Sequence, residues 1–149
     1  MLVVQSVILL FGTLFAWSKL IPQFANFNAI YGTLFRFRDC TVPNPFVTAC
    51  FFGSVAFIVA LFWSSRILQE PTHTGERRLR NFLLFCVIFA GSVLLYEFAD
   101  FYRWIPQSGI PISCSPGVVP WKTPCFFGLL FFLLAYVTSI LTTKRLKIV

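Results

Sequence analysis

Four runs of this 149-residue chain, about 2–20, 46–65, 81–102 and 124–142, carry almost no charged side chain. Each is close to the ~20 residues that an α-helix needs to cross the hydrocarbon core of a bilayer. The chain is 58% hydrophobic and 11% charged, whereas a soluble domain carries roughly 25% charged residues. Too few polar groups remain to cover a surface in water. Lipid cannot hydrogen-bond a backbone, so the runs must satisfy their own amides as helices rather than open strands. The 20 phenylalanines suit such a solvent. The expected fold is an all-α integral membrane four-helix bundle.

The chain also repeats itself. Cys50-Phe51-Phe52-Gly53 returns as Cys125-Phe126-Phe127-Gly128, and Pro45-Phe46-Val47-Thr48 answers Pro120-Trp121-Lys122-Thr123. Ile21-Pro22-Gln23 returns as Ile105-Pro106-Gln107, with Lys19 and Arg103 two residues before each Ile. Two tandem transmembrane hairpins, about 1–68 and about 79–145, therefore make one domain over 1–149. Both repeats cross the membrane twice, so they share one orientation and the symmetry axis lies along the membrane normal. Pro22 and Pro106 mark the ends of helices 1 and 3. Asn44-Pro45 and Thr123-Pro124 place a capping residue before a proline at the starts of helices 2 and 4.

The net charge of +7 is distributed by topology rather than gathered in a nucleic-acid footprint. Arg66, Arg77, Arg78, Arg80, Lys144, Arg145 and Lys147 flank one end of the spans, and Lys19, Arg36, Arg38, Arg103 and Lys122 flank the other. The seven-to-five bias puts both termini and the 66–80 loop in the cytoplasm, and the cysteine-bearing loops outside. Trp17, Trp104 and Trp121 mark the outer interface and Trp63 the inner one. The N-terminal run carries no cation before Lys19 and no small-x-small cleavage site, so it reads as a helix rather than a signal peptide.

Four of the five cysteines lie in or beside the outer loops. Cys40 with Cys50 and Cys114 with Cys125 are separated by nine and ten residues. An oxidising compartment allows bridges there, and loops this short give about 2–3 kcal/mol per bridge by chain entropy. Cys86, inside helix 3, reads as a small buried packing residue. In layout, four helices with outward-facing cysteines, the chain resembles the vitamin K epoxide reductase family. That resemblance implies quinone-linked thiol–disulfide exchange. The family's Cys-x-x-Cys is absent here, so no catalytic residue is carried over.

Cys50, Gly53, Phe57, Ala60 and Ser64 fall on one helical stripe, and Cys125, Gly128, Phe132, Ala135 and Ser139 repeat its steps. A match confined to one face implies helix packing, with Gly53 and Gly128 at close contacts, and the alternative is a ligand groove lined by that face. Glu97, Asp100 and Arg103 close helix 3, and an ion pair of Glu97 with Arg103 or Lys19 is expected. His73, the single histidine, falls in a polar 66–80 loop, which leaves no His-based metal site. No cofactor is indicated. The leading expectation is non-enzymatic: a membrane scaffold or accessory subunit with disulfide-stapled outer loops, contacting lipid and other membrane proteins or copies of itself. A small transporter or channel, and the quinone-linked oxidoreductase, are the alternatives.

Overall fold

The computed structural model describes residues 2–37, 42–104 and 119–146. Four α-helices carry the chain: α1 Leu2–Tyr31, α2 Ala49–Gln69, α3 His73–Phe101 and α4 Pro124–Leu146. All four are long and apolar enough to cross a membrane. Short 3₁₀ turns, Pro45–Val47 and Pro120–Lys122, lead into α2 and α4. Each helix packs on two neighbours, α1 on α2 and α4, α3 on α2 and α4. Of the two diagonal pairs, α2 and α4 approach each other and α1 and α3 do not. The starts of α2 and α4, with Cys50 and Cys125, mark the cysteine end of the bundle, and Leu2 and Leu146 mark the terminal end.

Two helices run well past their expected ends. Pro22 lies inside α1 rather than after it. The stop is Gly32, whose φ of +68° suits a residue without a Cβ; its N–H returns to the Asn28 carbonyl at 2.8 Å. The added turns are held by aromatic packing: Phe24 meets Phe46 edge-on at 4.8 Å and lies 6.3 Å from Phe51, while Phe27 is fully buried. At the other end, α3 begins at His73, which leaves only a short turn between α2 and α3. Thr72 caps it by accepting from the Gly75 N–H at 3.3 Å, and Glu76 lies in its positively polarised first turn. The polar stretch expected as a loop is thus largely helix.

The turns before α2 and α4 are built alike. The Thr48 hydroxyl donates to the Pro45 carbonyl at 2.7 Å, and Thr123 to Pro120 at 2.7 Å. Asn44 caps the first 3₁₀ turn, not α2 itself, by accepting from the Phe46 N–H. Its amide also donates to the Leu34 and Arg36 carbonyls, both at 2.9 Å, pinning the preceding segment.

The core runs along the α2–α4 diagonal. The rings of Phe57 and Phe132 stack with centroids 3.9 Å apart and planes 5° from parallel. Ala60, Ala135, Leu9, Leu79, Leu83 and Cys86 complete one buried cluster around them. Ser64 and Ser139 are buried just beyond it.

Candidate functional site: a sulfur pair above an apolar cavity

Above the stacked phenylalanines, toward the cysteine end, the bundle opens into a cavity of about 510 Å³. That volume falls in the range of small-molecule sites, about 300–1,000 Å³. Its wall is almost wholly apolar and draws on all four helices, with Phe15, Phe52, Phe82, Phe85 and Phe89 among the lining side chains. The space has a residue-level cause. Gly53 and Gly128 line it, and a Cβ built on either meets no atom within 4 Å. These glycines were expected at close helix contacts. They hold open a void instead, because the Phe57–Phe132 stack one turn away already sets the helix spacing. The close-approach glycine is Gly12, where a Cβ would lie 2.6 Å from the Phe57 ring.

Cys50 and Cys125, in the first turns of α2 and α4, line this cavity. Their sulfurs are 4.0 Å apart, against about 2.05 Å in a disulfide. Among the described residues no two sulfurs are at bonding distance. Cys86, also in the wall, and Cys125 are free thiols; Cys50 is engaged. Cys40 and Cys114, the expected bridge partners, lie outside the described residues.

A carboxylate stands beside the pair. Glu97, near the end of α3, is 5% exposed. Its Oε2 accepts from the Thr123 hydroxyl at 3.0 Å, and the carboxylate is close enough to Cys125 to act on it electrostatically. This contact set differs from the ion pair expected with Arg103 or Lys19. Asp100, Arg103 and Lys19 are exposed. Lys19 extends over the Phe15 ring at 5.8 Å and reaches the cavity rim. The geometry selects Thr123 because the 3₁₀ turn before α4 swings its hydroxyl against α3. The cavity lies along the stripe for which a ligand groove was the alternative to packing, whereas the role of Thr123 was not visible in the sequence. The one available signal was the shared Thr at the start of both repeated helices.

A second polar group lies at the terminal end. Glu76 is fully buried, and its Oε1 accepts from the Ser139 hydroxyl at 2.6 Å. The Ser6 and Ser64 hydroxyls meet at 2.8 Å. Glu76 was missed because it fell in the expected loop. Yet it lies three residues before Leu79 and seven before Leu83, on the buried stripe of α3. His73 is exposed. Among the described residues no group of three or more His, Cys, Asp and Glu side chains could hold a metal. The chain matches no known protein family, curated protein or solved structure.

Proposed function

We propose that this chain is a membrane thiol–disulfide oxidoreductase that passes electron pairs between its outer-loop cysteines and a lipophilic quinone in the apolar cavity. The observation carrying this reading is the Cys50–Cys125 sulfur pair, 4.0 Å apart in the cavity wall. Cys40–Cys50 and Cys114–Cys125 are the two bridges of the cycle, a pairing supported by the repeat, and the outer placement of these loops is supported by the seven-to-five basic bias.

With Cys114 and Cys125 reduced, the Cys125 sulfur attacks the Cys50 sulfur of the Cys40–Cys50 bridge while its proton passes to the Glu97 carboxylate, and Cys40 leaves as a thiolate. Cys114 then attacks Cys125, releasing Cys50. Two electrons have moved from one cysteine pair to the other, and no bond is left unbalanced. The reduced Cys40 and Cys50 give two electrons and two protons to the quinone, which leaves as hydroquinone, and their disulfide re-forms. A scaffold role leaves both the sulfur pair and the cavity without a task, because lipid alone accounts for the exposed phenylalanines.

The test uses purified protein in detergent with a dithiol donor and a short-chain quinone, followed by quinone absorbance. Cys50→Ser and Cys125→Ser should each abolish turnover, and lipid-facing Ser92→Ala should not. No quinone reduction by the wild type would refute the oxidoreductase reading and restore the scaffold.

A further inference from the structure

We propose that the terminal end of the bundle holds a binding site for one small, desolvated monovalent cation of sodium size, with Glu76 as its charged ligand. The site is separate from the sulfur pair and does not depend on the redox reading.

The argument starts from layering. Leu9, Ala60, Leu79 and Ala135, one from each helix, belong to a single buried cluster. One helical turn nearer the terminal end, the four helices place Gln5, Ser64, Glu76 and Ser139. All four are at most 1% exposed. An apolar bundle thus contains one wholly polar layer. The long side chains, Gln5 and Glu76, come from α1 and α3, the diagonal pair that stands apart. The short serines come from the diagonal pair that approaches closely. The serines thus leave room between α1 and α3 for side chains of that length.

This layer is not self-sufficient. Only one hydrogen bond, Ser139–Glu76, joins two of its members, and Ser64 is paired instead with Ser6, outside the layer. Glu76 Oε2 and both the Oε1 and Nε2 of Gln5 are buried without a partner. An ionised carboxylate buried with a single hydroxyl donor is strongly unfavourable, and an unmet amide adds to the cost. Arginines are near in sequence but do not serve. Arg77 and Arg78 are exposed and Arg80 is only half-buried, and Lys144, Arg66 and His73 on this end are exposed. What the layer offers is oxygen: two carboxylate oxygens, an amide oxygen and the serine hydroxyls. Such hard donors suit alkali and alkaline-earth ions. A single carboxylate balances one positive charge, which points to a monovalent ion.

The test is thermal unfolding of the full chain in detergent at fixed pH, with sodium chloride replacing choline chloride at constant ionic strength, together with ²²Na⁺ binding to the immobilised protein. The wild type should show a saturable rise in Tm with sodium and stoichiometric ²²Na⁺ retention. Glu76→Gln should lose both, Gln5→Leu should weaken the apparent affinity by about tenfold, the equivalent of one lost contact to a charged group, and exposed Arg77→Gln should leave them unchanged. If Glu76→Gln does not fold, wild-type binding and Gln5→Leu decide. A wild type that responds equally to sodium and choline and retains no ²²Na⁺ overturns the proposal. So does a Tm that follows pH but not sodium, which would make Glu76 a protonated carboxyl.

Discussion

Gly12 and Gly53 look alike in sequence, each a small residue in an apolar helix, and the structure gives them opposite roles. Gly12 gives way to the edge of the Phe57 ring. Gly12→Leu should therefore destabilise by about 1–3 kcal/mol through overpacking. Gly53→Leu projects into open space, so thermal unfolding in detergent should show little or no loss, while quinone turnover falls as the cavity fills. Equal destabilisation at both positions would contradict this packing. Thr48 and Thr123 allow a sharper comparison, because both close the same turn with a 2.7 Å bond to a proline carbonyl. Only Thr123 also faces a carboxylate. Because its single hydroxyl proton is shared between the Pro120 carbonyl and Glu97, Thr123→Ala should cost about 0.5–1.5 kcal/mol more than Thr48→Ala, the range for one ordinary hydrogen bond. Chemical denaturation of the two variants checks it, and equal costs would mean that Glu97 gains nothing from this hydroxyl. Such distinctions are not legible in a sequence. They depend on which ring or carboxylate a neighbouring helix presents.

At the scale of elements, the four spans were legible because length and apolarity alone decide them. Their ends were less so. Pro22 is a reliable stop signal only when nothing beyond it rewards further helix. Here Phe24 and Phe27 supply that reward, and Gly32 sets the true end. The start of α3 was hidden because Thr72-His73-Thr74-Gly75 reads as loop by composition, and the decisive contact is one side-chain cap. Glu76 was consequently read past, and with it the polar layer at the terminal end. The extension of α1 gives a local prediction. Phe46 bridges Phe24 and Phe51, at 4.8 and 5.2 Å between centroids. Phe46→Ala should loosen the last turns of α1, with faster amide exchange over 24–31 and unchanged protection over 2–20. Uniform loss along α1 would mean that the helix unfolds as one unit and the aromatic cluster does not set its end.

Across the whole molecule, residues that answer each other in the repeat also meet in space. Cys50 faces Cys125, and Phe57 stacks on Phe132. Among the described residues the buried acids have no such counterpart, since α3 supplies both, Glu97 near one end and Glu76 near the other. At 1.5 Å per residue they are about 30 Å apart, close to the thickness of a hydrocarbon core. Two acids so spaced invite a transport reading. The layer between them argues against it. Leu9, Phe57, Leu79, Leu83 and Phe132 are all at most 3% exposed and form one continuous apolar plug. An ion passing from one carboxylate to the other would shed its ligands in a region without a polar substitute, which costs several kcal/mol or more even after relaxation. Proteoliposomes loaded with a ²²Na⁺ gradient should therefore show no flux above that of empty vesicles, even where the detergent-solubilised protein binds sodium. Leu83→Ser and Leu79→Ser, which place hydroxyls in the plug, should be needed before any leak develops. Flux through the wild type would require the plug to open, and would make the two acids ends of one path rather than separate sites.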